Sequence, residues 1–183
     1  MPDDPAGFSY HPGFLSVDEL ADLERFVESV EWHHDEFRGN RLKRGYVQFG
    51  WSYVTQRRNV VPATPFPEIL LYLGRKCEQI ASRIVRFDQC IMTQYPQKVG
   101  ISPHVDKPCF GDSIVAVSLG SPARLIFRAG ANGSVHRDVT VESGSAYVLE
   151  DEARWRFHHE IAPVNGLRVS ITFRTVVNSM GII

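Results

Sequence analysis

The chain has 183 residues, 43% of them hydrophobic, enough for one domain spanning 1–183 with a full core. Its 20 basic and 21 acidic residues exclude a global pull toward polyanions, and no apolar run approaches the length of a membrane span. Cys77, Cys90 and Cys109 are too few and too scattered for a disulfide framework or a zinc knuckle, and the acidic start "MPDDPAGFSYHPGF" is unlike a signal or transit peptide. The expectation is a monomer in the reducing cytoplasm, without membrane contact.

In chain order, Ser16 and Glu19 have capping-box spacing, and Leu20, Leu23, Val27 and Val30 recur at helical intervals. This predicts a helix of about four turns ending near Trp32. Charge then changes sign. Residues 1–36 hold ten acids against Arg25 alone, whereas 38–58 hold Arg38, Arg41, Lys43, Arg44, Arg57 and Arg58 with no acid. Such a segment is either a solvated face or a polyanion-facing patch. Within it, "RGYVQFGWSYV" reads as a strand pair or bulged strand. "VPATPFP" breaks the chain before a second helix near 66–83.

From residue 86 onward the pattern is β: "CIMTQY", "SIVAVSL", "ARLIFR", "VHRDVTV", "SAYVL", "RWRFHHEIA" and "RVSITFRTVV", separated by Gly, Pro, Asn and Ser. The expected class is mainly β (α+β), a jelly roll flanked by N-terminal helices.

Three His-x-Asp triplets compete as metal-ligand pairs: His33/Asp35, His104/Asp106 and His136/Asp138. In a strand, residues two apart share a face; in a helix they diverge by roughly 200°. His33/Asp35 falls at the expected helix end and fails that test. His136/Asp138 reads as the solvent face of a hairpin. His104/Asp106 precedes a turn and a buried strand, where a barrel mouth would lie. A second imidazole must come from elsewhere, and only one of the adjacent His158 and His159 can face it. The last strand, "RVSITFR", alternates Arg168, Ser170, Thr172 and Arg174 against Val169, Ile171 and Phe173. It is either an edge strand with a wet face or a pair of arginines directed at an acidic ligand.

These segments resemble the AlkB-type iron(II)- and 2-oxoglutarate-dependent dioxygenases, whose shared core is a double-stranded β-helix. The match runs in order through "TQYPQKVGISPHVD", "SIVAVSLGS", "HEIAP" and "RVSITFR" over residues 90–176, and more weakly through "FGWSY". The resemblance implies Fe(II) held by His104, Asp106 and His159, with 2-oxoglutarate as cosubstrate and O2 as oxidant. It implies that Arg168 and Tyr95 bind the distal carboxylate of 2-oxoglutarate. Ser170 joins them as a cosubstrate residue, and Arg174 lies near the C1 carboxylate or the substrate. Trp51 and Tyr53 fall where family aromatics line the base pocket, and Arg44 is a candidate phosphate contact.

Two positions depart from the family pattern. Thr93 stands where asparagine is usual, and Glu160 replaces a glycine, where it could narrow access or repel phosphate. The implied activity is oxidative demethylation of N-alkylated bases in single-stranded DNA or RNA. Alternatives are a tRNA hydroxylase acting on the side chain of a wobble uridine, a non-catalytic nucleic-acid or protein binding module, and a small-molecule or protein hydroxylase.

Overall fold

A computed structural model describes residues 4–37, 39–54, 57 and 59–177; Arg38 and Arg58 of the basic segment lie outside them. Strand β1 (Phe8–His11) precedes helix α1 (Val17–Glu28). Ser16 Oγ accepts from the Glu19 amide while the Glu19 carboxylate accepts from the Ser16 amide, so the expected capping box is present. The helix stops one turn short of Trp32. There the Ser29 amide turns back onto the carbonyls of Phe26 and Val27, and Trp32 packs on the core from outside the helix.

The basic segment forms β2 (Glu36–Phe37), β3 (Asn40–Arg41), β4 (Gly45–Phe49), β5 (Trp51–Val54) and β6 (Asn59–Pro62). Gly50 separates β4 from β5 at φ +73, and a Cβ there would meet the Asp88 carbonyl oxygen at 2.0 Å. Only glycine permits that bend, which carries the chain out of the main sheet into a separate β5–β6 ribbon. Helix α2 (Glu68–Glu78) is shorter at both ends than the periodicity suggests. Lys76 on α2 holds Glu19 of α1 at 2.6 Å, which fixes the two helices together.

The remaining elements are β7 (Gln89–Tyr95), β8 (Ile101–His104), β9 (Ile114–Gly120), β10 (Ala123–Arg128), β11 (Val135–Val141), β12 (Ala146–Leu149), α3 (Asp151–Trp155), β13 (His158–Ile161) and β14 (Arg168–Arg174). "RWRFHHEIA" is therefore not one strand: its first residues complete the short helix α3. A six-stranded antiparallel sheet runs β1-β12-β9-β14-β7-β4, and a four-stranded one runs β11-β10-β13-β8. This is the jelly-roll arrangement.

Alternation decides which side of the large sheet faces what. Val169, Ile171 and Phe173 of β14 join Val115, Val117 and Leu119 of β9 in a core closed by Leu23 of α1 and Leu70, Leu73 and Cys77 of α2. The opposite face supplies Tyr95, Ile114, Ala116, Tyr147 and Leu149 to a second core. Leu125, Phe127 and Ile161 of the small sheet complete it. Strand β14 is no edge; it lies between β7 and β9, so its polar face points between the sheets.

Candidate metal centre and cosubstrate pocket

Between the sheets lies a cavity of about 510 Å³. Strand β8 is the edge of the small sheet and tolerates Pro103, and its register with β13 sets His104 directly across from His159. One extra residue on β8 between the paired positions Ile101 and His104 marks a bulge beside the site. The two imidazole rings stand 4.4 Å apart. Strand β8 ends at His104, so Asp106 reaches the same point from the following loop rather than from the shared strand face that the spacing suggests.

Each ring is presented by its surroundings. His104 Nδ1 lies 2.9 Å from the Ser102 carbonyl, which makes Nδ1 the donor and leaves Nε2 free toward the cavity. His159 Nε2 lies 3.3 Å from Asp106 Oδ2. Burial, then the neighbouring His159, push the His104 imidazole down to about 4, so it is neutral and ligand-ready at pH 7. Burial alone would raise the Asp106 carboxyl, but Arg174, His159 and His104 hold it well below the usual carboxylate range.

One donor atom from each of His104, Asp106 and His159 lies within 4.8 Å of the others. Two imidazoles and one carboxylate, open on one side to a cavity, suit a mononuclear non-haem iron. His158 faces away from this point, as alternation requires. The other triplets are accounted for without metal. Asp138 pairs with Arg124 and His136 stacks on Phe157 at 4.6 Å. Asp35 accepts from Tyr46 Oη at 3.0 Å, and the His33 backbone bridges to Tyr46.

Beyond the triad, Ser170, Thr172 and Arg174 of β14 line the cavity together with Thr93, Tyr95 and Tyr147. Arg168 does not itself line the cavity; it is fully buried beside Tyr95, which does, its guanidinium carbon 5.1 Å from the ring. Nε donates to Ser118 Oγ at 3.0 Å, yet Nη1 and Nη2 have no partner among the described residues. A guanidinium so placed needs an anion. The carboxylate of 2-oxoglutarate fits that demand, so the residues present suit both the metal and the cosubstrate. Tyr147, which lines the cavity, is pushed up to about 12 by burial, against the opposing influence of Arg168.

A model of the family described as "2OG-Fe(II) oxygenase superfamily" matches residues 7–174. This chain belongs to that superfamily. The oxygenase is a 2-oxoglutarate-dependent iron dioxygenase of AlkB type, and Fe(II), 2-oxoglutarate and O2 are its cofactor set. It is 28% identical over 93% of its length to the uncharacterized protein L905 of Acanthamoeba polyphaga mimivirus, covering 85% of that protein. It is 26% identical over 91% of its length to the alkylated DNA repair protein ALKBH8 homolog of Arabidopsis thaliana. With the alpha-ketoglutarate-dependent dioxygenase AlkB of Salmonella typhimurium it shares 29% identity over 68% of its length. The chain spans 57% and 66% of those two relatives. Among solved structures, the fold is similar to OsALKBH1, with TM-score 0.73 and 17% identity over 96% of this chain and 99% of that one.

The residues expected on the substrate side lie in different places. Arg44 and Tyr53 line the cavity, with Asp35, Tyr46 and Gln48; Tyr53 lies 6.1 Å from the Phe110 ring. Arg44 Nη1 is buried without a hydrogen-bond partner among the described residues. Trp51 is not a cavity residue, contrary to the expectation that both aromatics line one pocket; it stands across from Pro62 in the β5–β6 ribbon. Glu160 does not enter the cavity either. It faces the other side of β13 and accepts from Arg128 Nε and Nη2 at 2.9 and 2.8 Å. Sequence reasoning did not single out Arg154, whose "RWRF" setting reads as strand, nor Tyr147, which reads as ordinary core.

Proposed function

We propose that this dioxygenase oxidatively demethylates N-alkylated bases in single-stranded DNA or RNA. The observation that carries the reading is one continuous cavity that joins the His104–Asp106–His159 triad to Arg44, Tyr46 and Tyr53 of the acid-free segment. A base taken out of a stack needs an aromatic face, and its backbone needs cations. The names of the Arabidopsis and Salmonella relatives, an alkylated DNA repair protein and AlkB, support the same substrate class.

In this reading His104, Asp106 and His159 hold the iron. Arg168 and Tyr95 hold the distal carboxylate of 2-oxoglutarate, with Ser170 on the same face of β14. Bound Fe(II) and 2-oxoglutarate supply oxidation of a substrate C–H bond by O2, with release of succinate and carbon dioxide. The protein's own share is positional. The apolar rings of Phe110 and Tyr53 exclude water beside the triad, and Arg174 sets the orientation of Asp106. An N-methyl group hydroxylated there leaves as formaldehyde and frees the base. Tyr53 stacks the base and Arg44 contacts phosphate; Trp51, outside the cavity, would meet only a neighbouring nucleotide.

A second reading is a tRNA nucleoside hydroxylase, which rests on the resemblance of "HVDKPCFGDSIVAVSLGS" and "HEIAP" to AlkB homologues that act on wobble uridine. We also infer one domain over 1–183, a monomer and a cytoplasmic location. Among the described residues no helix is long and apolar enough to cross a membrane.

The test is nucleoside mass spectrometry after incubation with iron(II), ascorbate and 2-oxoglutarate, using N-methylated oligonucleotides and bulk tRNA. Methyl loss that requires His104 supports demethylation. An added oxygen on a tRNA nucleoside selects the second reading. No nucleoside change, with succinate still formed, overturns both.

A further inference from the structure

We infer that Arg154 is a positioning residue for the metal centre, holding the Asp106 loop and the His159 strand in one register. Its side chain is fully buried, yet no carboxylate pairs with it among the described residues. Instead the guanidinium donates to four backbone carbonyls of a single loop. Nη1 reaches Asp106 O at 3.1 Å, Nη2 reaches Lys107 O and Phe110 O at 2.9 Å each, and Nε reaches Gly111 O at 3.1 Å.

Burying a cation is costly, so packing alone would favour an apolar side chain at this place. The loop explains the arginine. Its carbonyls lie at an irregular stretch outside both sheets, where Lys107 O also accepts from the Phe110 amide at 3.1 Å, and a planar fork of five donors matches several at once where lysine's single nitrogen cannot. The same loop carries Asp106, which ligates from beyond the end of β8, and Phe110, whose ring lies 4.3 Å from the Arg174 guanidinium. Arg154 itself sits on α3, which runs through Phe157 into β13 and His159. One side chain thus ties the Asp106 loop, which lies past the end of the β8–β13 pairing, to the segment that carries His159. The Trp155 ring, 3.9 Å from the guanidinium carbon, covers it on one side, and Trp155 Nε1 donates to Asp112 Oδ1 at 3.2 Å.

This inference rests on Asp106 being a metal ligand. The experiment is calorimetric Mn(II) titration of the metal-free full chain, with His104→Ala as control, beside thermal melts of the metal-free proteins and amide exchange across residues 106–111. Wild-type protein that fails to bind Mn(II) would reject the metal-site reading itself. Given wild-type binding, Arg154→Ala is expected to bind about 10–100-fold more weakly, the usual cost of losing an outer partner of a metal ligand. Exchange should rise in 106–111, and a millimolar small alkylguanidine should restore much of the affinity. Arg154→Lys, which keeps the charge but not the fork, should recover little of it. If Arg154→Ala does not fold, the Arg154→Lys titration decides. Affinity within twofold of wild type in a folded variant overturns the inference. So does failure of both variants to fold, because the guanidinium then serves the fold as a whole.

Discussion

Arg174 Nη2 lies 3.2 Å from Asp106 Oδ1, on the opposite oxygen from the one that faces His159. The last residue of β14 is therefore the counter-charge of the carboxylate in the His104–Asp106–His159 cluster, with both side chains largely buried. Removing one member of such a pair leaves the other desolvated and unpaired. Arg174→Gln should destabilise the metal-free protein by about 2–3 kcal/mol, less than a fully orphaned charge because His159 still contacts Asp106. Mn(II) should recover most of the loss, since a dication replaces the guanidinium as partner. Thermal melts with and without Mn(II) check this. A loss that metal leaves untouched would instead assign it to packing of Arg174 on Phe110.

His104 gives the metal-free protein a pH-dependent stability. Its imidazole titrates at about 4 when folded and at 6.5 as a free group, so between these values the unfolded chain binds a proton that the folded one refuses. Stability therefore rises with pH from 4 to 6.5 and is flat above, by up to about 3 kcal/mol. Asp106 adds to the same trend below pH 4, where its depressed carboxyl begins to lose stability as protons bind. Urea unfolding in chelator at stepped pH reads the slope, and His104→Asn should flatten the part between 4 and 6.5. An unchanged slope in that variant would assign it to other groups.

Arg168 makes the opposite prediction for stability. Among the described residues Nη1 and Nη2 have no hydrogen-bond partner and no carboxylate pairs with the guanidinium, whose charge is felt by the neighbouring Tyr147. Arg168→Met should raise the KM for 2-oxoglutarate at least about 100-fold, as expected for loss of a charge-assisted bidentate contact worth about 3 kcal/mol. It should leave the melting temperature of the cosubstrate-free protein unchanged or higher, because an unpaired buried cation has been replaced by an apolar side chain. Succinate formation and melts in one buffer measure both. A fall in stability without a change in KM would make Arg168 a packing residue.

Much of this was legible because period-two alternation is strict wherever both faces of a strand are committed. "RVSITFR" shows it, and its polar face points between the sheets; "SIVAVSL" is instead a near-continuous apolar run, and β9 is buried on both faces. The capping box at Ser16 was equally direct, since it depends on two residues three apart. What stayed hidden depends on long-range contacts. Asp106 lies past the end of β8, so its approach to the histidines owes nothing to strand alternation. Arg154, in "RWRF", has the spacing of a strand residue, but four carbonyls more than forty residues away decide its role. Trp51 and Tyr53 share one face of β5 by alternation, yet only Tyr53 lines the cavity; Trp51 stands just after the bend at Gly50, across from Pro62.

Glu160 is the departure from the family pattern that bears most on substrate access. Its carboxylate accepts from two nitrogens of Arg128 across the β10–β13 pair, on the face of β13 away from His159. It is therefore expected neither to narrow the cavity nor to repel phosphate there. Glu160→Gln should cost about 1 kcal/mol of stability, the scale of a partly exposed ion pair with good geometry. Glu160→Gly should cost about 1 kcal/mol more, from glycine within a strand. Single-stranded oligonucleotide affinity should stay within twofold for the Gln variant. A several-fold gain in that affinity, absent from an Arg128→Gln control, would place Glu160 in the path of the nucleic-acid backbone after all.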